Sequence, residues 1–193
     1  MNRFLLKPNK TAFFLCDIQE KFRPHIYQMT DVINTSKKMT EFSKLWQIPL
    51  IVTEQYPKAL GSTCHDIDIT HAVIKEPKTK FSMVLPTIES FLNSKGITNV
   101  VLFGIEAQVC ITQTVLDLIG MNINVHVLAD GISSINSGER QIALNRLSSI
   151  CDITTSETII FQIVKDASHQ RFKDVSQLVK KFKTETANNK LLN

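Results

Sequence analysis

The sequence predicts a single doubly wound, Rossmann-like α/β domain of three layers, with a mostly parallel six-stranded sheet. Short apolar runs recur along the chain without polar alternation, as expected of parallel strands that are buried on both faces. Longer amphipathic segments separate these runs, and the alternation of strands with helices implies right-handed βαβ crossovers. A length of 193 residues is sufficient for one domain with a sizeable core.

The predicted elements follow from apolar spacing and from the residues that begin or end them. The predicted strands are 11–16, 49–53, 72–74, 100–103, 125–128 and a weaker 151–154. The predicted helices are 32–46, 86–96 between Pro86 and Gly96, 109–119 before Gly120, 137–147 with Ser137 as N-cap, and 172–182. We therefore divide the chain into an N-terminal lead (1–10), a domain (11–183) and a polar tail (184–193) that we expect to fray.

Composition indicates an ordinary soluble protein. Hydrophobic residues make up 43% and charged residues 21%, and the formal net charge is +4. A mild basic cluster near the C-terminus is interrupted by acidic and polar residues, which favours a solvated helix face over a nucleic-acid patch. We expect no nucleic-acid or membrane partner, since no apolar run approaches the ~20 residues that span a bilayer.

The start of the chain and the cysteines bear on the compartment. The first ten residues lack a secretory signal, so we expect a cytoplasmic protein; Arg3 and Lys7, which flank Phe4, Leu5 and Leu6, leave a mitochondrial address open. Four cysteines lie far apart, and none forms a C-x-x-C pair. This pattern suggests neither a disulfide framework nor a zinc knuckle.

Ligands of such sheets bind beyond the carboxyl ends of the strands, so the residues there are candidates. Asp17 follows the first strand, where an N-cap or loop residue is the favoured alternative when it is considered alone. Cys110 should lie in the first turn of a helix, where free N–H groups favour a thiolate and can bind an oxyanion; a small core residue is an equal alternative. Lys75, Lys78 and Lys80 follow the third strand, and each alone is more typical of a solvated lysine.

Taken in order, these strand ends form three motifs: Asp17-x-Gln19, Lys78-x-x-Phe81-Ser82, and the run from Gly104 to Cys110 (GIEAQVC). Together they resemble the isochorismatase-like cysteine hydrolases from about residue 11 to about residue 182. The chain is most similar to the eukaryotic isochorismatase domain-containing proteins.

The resemblance implies a cofactor-free triad. Cys110 would attack a carbonyl, Asp17 would move the proton and Lys78 would stabilise charge, on a small amide, ureido or imide-like substrate. It also implies a cis peptide between Ile105 and Glu106, with the N–H groups of Glu106 and Cys110 forming an oxyanion hole. By position, the pocket residues are Gln19, Phe22, Tyr56 and Phe81. Relatives of this kind often assemble, so we expect a homo-oligomer, a dimer or larger.

Several alternatives stay open. The Asp-x-His metal motif of nicotinamidases is replaced here by Thr53-Glu54-Gln55-Tyr56, so we expect no metal; His65, Asp66, Asp68 and His71 would be a disfavoured zinc alternative. Lys80 competes with Lys78, because both would face the same way on an extended segment. The chain could also be an interaction or regulatory protein with vestigial chemistry, or an isochorismate-type vinyl-ether hydrolase.

Overall fold

A six-stranded parallel sheet forms the centre of the molecule. The computed structural model describes residues 5–192. Every strand pair is parallel, in the order β3-β2-β1-β4-β5-β6. This is the strand order of the doubly wound Rossmann fold, so the predicted fold class is confirmed, with a sheet that is parallel throughout. The strands are β1 (Thr11–Cys16), β2 (Leu50–Gln55), β3 (Ile74–Lys78), β4 (Asn99–Ile105), β5 (Asn124–Ser133) and β6 (Asp152–Thr154).

Helices cover both faces of the sheet. They are α1 (Met29–Trp46), α2 (Pro57–Leu60), α3 (Pro86–Lys95), α4 (Thr112–Gly120), α5 (Ser137–Leu147), α6 (Ser156–Val164), α7 (Phe172–Lys181) and α8 (Lys183–Ala187). Alternate residues of β1 enter two cores: Phe13 and Leu15 pack with α1, α6 and α7, while Phe14 and Cys16 pack with α3, α4 and α5. Among residues 5–192, no helix combines the length and the apolar character needed to cross a membrane.

The third strand lies later in the chain than predicted, at Ile74–Lys78 rather than 72–74. It is an edge strand whose burial alternates up to a buried Lys78. The search for apolar runs fails at such an edge, where one face of the strand carries polar side chains. The shift matters because it makes Lys78 the last residue of a strand.

Three helical features also differ from expectation. The N-cap of α5 is Asn136, whose side chain accepts a hydrogen bond from the Glu139 N–H, rather than Ser137. A π-helical turn, Ala107–Ile111, precedes α4. The sequence analysis also missed α6, although Thr155 is a well-formed N-cap that accepts from the Thr158 N–H.

The C-terminal segment packs against the domain, so the expectation that it frays is wrong. Asn189 and Leu191 are buried, and the Asn189 amide donates to the Asp130 carbonyl at 3.0 Å. The buried Arg140 guanidinium donates to the Leu191 carbonyl at 2.8 Å and to carbonyls of β5. Arg3 and Phe4, which carried part of the argument for a mitochondrial address, lie outside the described residues.

Gly104 lets β4 approach the end of β1. It pairs with Cys16 in the sheet and has a φ of +128°. A Cβ at this position would lie 2.1 Å from the Cys16 carbonyl oxygen. Only glycine fits this conformation and this distance, so the close contact between the two strand ends depends on it.

Gly104→Ala should therefore lower the free energy of unfolding by about 3 kcal/mol, from the clash and the positive φ together. Gly120→Ala is the matched control, because a Cβ there would meet nothing within 4 Å at the end of α4. That variant should be neutral or gain up to about 1 kcal/mol from helix propensity. Urea unfolding followed by circular dichroism measures both; equal midpoints for Gly104→Ala and wild type would show that the contact is not required.

Candidate active site

Three candidate residues meet where the winding of the sheet reverses. This switch point lies between β1 and β4, which are neighbours in space but not in sequence. Asp17 follows β1, Cys110 lies in the π-helical turn that follows β4, and Lys78 reaches across from the end of β3. The ends of parallel strands thus bring together side chains that are far apart in the sequence.

Asp17 and Lys78 form a buried ion pair. Lys78 Nζ lies 2.6 Å from Asp17 Oδ2, and the two side chains are 0% and 2% exposed. The other carboxylate oxygen, Oδ1, accepts a hydrogen bond from Thr53 Oγ1 at 2.8 Å. Asp17 has a φ of 51°, in the left-handed region, directly after the strand. The carboxylate is therefore fixed in orientation by groups from β2 and β3.

Lys78 is held by acceptors on several sides. Its Nζ donates to Gln55 Oε1 at 2.6 Å, to the Phe81 carbonyl at 2.9 Å and to the Lys80 carbonyl at 3.1 Å. It also lies 3.6 Å from Cys110 Sγ. Burial by itself would lower the pKa of Lys78, but the neighbouring Cys16, Asp17 and Cys110 outweigh it and raise that pKa above its ordinary value. The ammonium group is thus kept charged beside the thiol.

The two competing lysines point elsewhere. Lys80 Nζ pairs with Asp117 Oδ2 at 2.7 Å on the surface, with about half of its side chain exposed. Lys75 Nζ pairs with Glu54 Oε1 at 3.0 Å, also with a largely exposed side chain. Of these three lysines, Lys78 is the one in contact with both Asp17 and Cys110.

Cys110 is buried, but 7% of its surface is accessible to solvent. Its Sγ lies within 4.8 Å of both an Asp17 carboxylate oxygen and Cys16 Sγ. Cys64 is only 1% exposed, and burial raises the pKa of its thiol to about 11. Cys64 is therefore a weak competitor of Cys110 for thiol reagents.

The turn that carries Cys110 begins with a cis peptide between Ile105 and Glu106, as the family resemblance implies. The Glu106 carboxylate accepts from the Ile135 N–H at 3.0 Å and from Gln108 Nε2 at 3.2 Å. Ser134 Oγ in turn donates to Gln108 Oε1 at 2.6 Å. This chain of hydrogen bonds joins the turn to the segment that precedes α5.

A cleft of about 420 Å³ opens beside this turn. Phe22 and Glu106 are among its lining residues, and Glu106 directly precedes the turn. Tyr56 and Phe81 lie outside the cleft lining, and each is about half exposed, on the side where β2 and β3 end. The cleft is lined by Lys21, Phe22, His25, Ile26, Ala59, Leu60, Glu106 and Ile135.

Gln19 does not line the cleft. It is fully buried, and its amide donates to the Gln55 carbonyl at 2.9 Å and to the Gly61 carbonyl at 2.7 Å. Its Oε1 accepts from the Gln55 N–H at 2.7 Å. All of these partners are backbone groups, so Gln19 positions the loops after β2, and Gln55 with them.

The residues of the disfavoured zinc alternative have other partners. Asp66 pairs with Arg23, and Asp68 accepts from Thr70 and pairs with Lys44 at 3.5 Å. His71 Nε2 lies 3.2 Å from Ser43 Oγ. His65 is 3.9 Å from Glu20, which also pairs with Arg23. These side chains do not converge on one point.

Sequence reasoning missed three residues that contact the trio. Thr53 and Gln55 stand where the metal motif of other relatives would be, and here they hold Asp17 and Lys78 instead. Cys16 was expected to be a packed strand residue; it is fully buried, yet its Sγ lies 3.6 Å from Asp17 Oδ2. Its place next to Asp17 at a strand end is the signal that could have identified it.

The sequence and the fold are similar to those of known proteins. Residues 11–158 match the isochorismatase domain. The chain is 45% identical over 177 residues to isochorismatase domain-containing protein 1 of Danio rerio, covering 91% of this chain but only 62% of that relative's length.

Two solved structures share the fold. One is described as a MAR1 ribonuclease from Caenorhabditis elegans; it is 39% identical, with a TM-score of 0.87, over 91% of this chain and 92% of that one. The other is YcaC from Escherichia coli, described as an octameric hydrolase of unknown specificity; it is 15% identical, with a TM-score of 0.84, over 98% of each chain, and shows likeness of fold alone. Because the isochorismatase domain matches residues 11–158, well over half of its length, the chain belongs to the isochorismatase family.

Proposed function

We propose that this protein is a cysteine hydrolase that cleaves the C–N bond of a small amide, ureido or imide-like substrate. The observation that carries the proposal is the buried trio at the switch point, with Lys78 Nζ 2.6 Å from Asp17 and 3.6 Å from Cys110 Sγ. A nucleophile, a carboxylate for proton transfer and a fixed positive charge are the groups that nucleophilic acyl transfer requires.

In the first half of the reaction, Cys110 Sγ attacks the substrate carbonyl carbon while its proton passes to Asp17. The negative charge that develops on the carbonyl oxygen is stabilised by the N–H groups of Glu106 and Cys110. Asp17 then gives the proton to the departing nitrogen, the C–N bond breaks, and a thioester with Cys110 remains. Lys78 keeps the carboxylate oriented and the thiolate favoured throughout.

In the second half, a water molecule attacks the thioester. Asp17, now ionised again, takes a proton from that water, and the tetrahedral intermediate forms with its charge in the same oxyanion site. The C–S bond breaks, the proton returns to Cys110, and the acid product leaves. One water is consumed in each turnover, and no redox partner or cofactor is required.

The size of the cleft supports a small substrate, and Glu106 connects the cleft with the turn that carries Cys110; Asp17, Lys78 and Cys110 themselves are not among its lining residues. A volume of about 420 Å³ suits a small molecule. Its wall is largely apolar, with Phe22, Ile26 and Leu60, and carries the polar heads of Lys21 and His25. Tyr56 and Phe81 do not line this cleft; they would contact a substrate from the exposed side where β2 and β3 end.

The competing functions make different demands on Cys110. An isochorismate-type vinyl-ether hydrolase need not use a cysteine, so it gives no role to the ordered contact between Lys78 and Cys110. A regulatory protein with vestigial chemistry would not need the charged trio to be kept intact. The C. elegans neighbour is described as a ribonuclease, so RNA is included among the test substrates.

We also propose that the protein is cytoplasmic and forms a homo-oligomer. Four free thiols fit a reducing compartment such as the cytoplasm. Exposed apolar side chains on α4 and α5, among them Leu116 and Ile142, support a homo-oligomer, and the E. coli neighbour is described as octameric. We expect no nucleic-acid or membrane partner.

A panel of small amides, ureido compounds and cyclic imides, assayed for ammonia or amine release, should contain at least one substrate. Cys110→Ala should lower kcat on that substrate by about 10³-fold or more, because no other thiol can replace the nucleophile. Cys64→Ala is the matched control and should retain activity. Turnover that survives in Cys110→Ala, or hydrolysis of an RNA oligonucleotide in place of every amide, would contradict the proposal.

Turnover should need no metal ion. The position of a metal motif is occupied by Thr53 and Gln55, which are already hydrogen bonded to Asp17 and Lys78. Dialysis against a strong chelator should leave the rate of amine release unchanged. Activity that disappears on dialysis and returns with added zinc would overturn this expectation.

Cys110 should be the first cysteine alkylated by limiting iodoacetamide, and its rate should depend on Lys78. In Lys78→Ala the alkylation rate of Cys110 should fall, because the ammonium group 3.6 Å from the sulfur is lost. In Lys80→Ala, whose lost side chain pairs with Asp117, the rate should equal that of wild type. Peptide mass spectrometry of timed samples measures both; a slower rate in Lys80→Ala but not in Lys78→Ala would reassign the role.

A further inference from the structure

A second thiol lies beside the proposed nucleophile and has no part in the hydrolysis. Cys16 is the last residue of β1, and its side chain is fully buried in the same apolar core that contains Cys110. The two Sγ atoms lie within 4.8 Å of each other. Cys16 Sγ is also 3.6 Å from Asp17 Oδ2. A buried thiol placed between a carboxylate and a reactive sulfur requires an explanation.

A bound metal ion is one explanation that the geometry disfavours. The two thiols and the Asp17 carboxylate could together offer three ligand atoms. However, the Lys78 ammonium already lies 2.6 Å from the carboxylate and 3.6 Å from Cys110 Sγ. A cation would have to sit against that positive charge, so the pair of sulfurs is better matched to chemistry between themselves.

We propose that Cys16 is a resolving thiol, which forms a reversible disulfide with Cys110 after a peroxide has oxidised Cys110. The inference rests on the reactive thiolate of the proposed function, but not on the identity of its substrate. The disulfide would occupy the nucleophile, so the hydrolase would be switched off under oxidation and restored by a reducing thiol.

The reaction takes two steps. The Cys110 thiolate, whose proton Asp17 has taken, attacks one oxygen of hydrogen peroxide. An S–O bond forms, the O–O bond breaks, and the departing hydroxide takes that proton from Asp17 and leaves as water, while the Cys110 sulfur becomes a sulfenic acid. Cys16 then gives its proton to Asp17, and its sulfur attacks Cys110 Sγ. The S–S bond forms, the S–O bond breaks, and the hydroxyl group leaves with that proton as a second water.

Accessibility sets the order of the two steps. Cys110 is 7% exposed, whereas Cys16 is 0% exposed, so a small peroxide can reach Cys110 and not Cys16. Burial, together with the hydrogen bond to Cys110, raises the pKa of the Cys16 thiol well above its ordinary value, so it stays protonated until a base is presented. Asp17, at 3.6 Å, is that base.

The distance to be closed is short. A disulfide holds its sulfurs about 2 Å apart, so the two Sγ atoms must approach by less than about 3 Å. Cys16 is paired with Gly104 in the sheet, and Cys110 lies on the turn that directly follows β4. The Cys110 side chain is carried by an irregular turn rather than by a strand, and that turn is the element that would adjust.

The test exposes the reduced full-length chain to a stepwise excess of hydrogen peroxide, blocks the remaining thiols and maps peptides by mass spectrometry. The expected product has lost two hydrogen atoms and contains a Cys16–Cys110 cross-linked peptide. Dithiothreitol should then restore iodoacetamide labelling of Cys110 to the untreated level. Cys64→Ala, which removes a buried thiol outside the site, should behave as wild type.

Cys16→Ala isolates the resolving step. Before oxidation its Cys110 should alkylate at the wild-type rate, which reports an intact site. After peroxide its Cys110 should gain two or three oxygens, and dithiothreitol should fail to recover it. If wild type and Cys16→Ala over-oxidise alike and no cross-linked peptide forms, the inference is wrong.

The outcomes separate this inference from the proposed hydrolysis. If amide turnover depends on Cys110 but peroxide yields no cross-link in wild type, the resolving role fails and the hydrolase stands. If the cross-link forms while no amide is hydrolysed, the redox pair stands and the hydrolase fails. Mapping the cross-link in wild type decides the matter even if Cys16→Ala does not fold.

Discussion

The ion pair between Asp17 and Lys78 is the constraint on which the rest of the site depends. Both side chains are almost fully withdrawn from water, and removing two charges from water is costly unless every acceptor and donor finds a partner. Thr53, Gln55 and two backbone carbonyls supply those partners. The groups come from three adjacent strand ends, so the pair can exist only when the sheet is assembled in this order.

Two features of the sheet position the strand ends around the ion pair between Asp17 and Lys78. Alternate residues of the buried strands fill two separate cores, which fixes the positions of the strand ends from both faces. Gly104 then removes the one side chain that would keep β4 away from the Cys16 carbonyl. Because β4 can approach so closely, the turn that follows it carries Cys110 directly over the ion pair.

The sequence was sufficient for the fold class, and it also indicated three strand-end residues that the structure brings together, because both depend on strand ends that local patterns mark. β1 lies where its unbroken apolar run predicts it, at Thr11–Cys16. β3 was displaced in the prediction because an edge strand alternates polar and apolar side chains. Gln19 and Gln55 gained their roles from partners distant in the sequence, and no spacing rule reports such contacts. The C-terminal segment looked free for the same reason, since its anchors, Arg140 and Asp130, lie well upstream.

The C-terminal segment can pack against the domain only late in protein synthesis. Asn189 and Leu191 are made long after Asp130 and Arg140, yet they supply partners for the buried Asp130 carbonyl and for the Arg140 guanidinium. Chains fold from the N-terminal side as they leave the ribosome, so β5 emerges before these partners do. Until residue 191 has left the exit tunnel, the Arg140 guanidinium of a nascent chain lacks one of its hydrogen-bond acceptors, the Leu191 carbonyl. The domain should reach its full stability only after that carbonyl is in place.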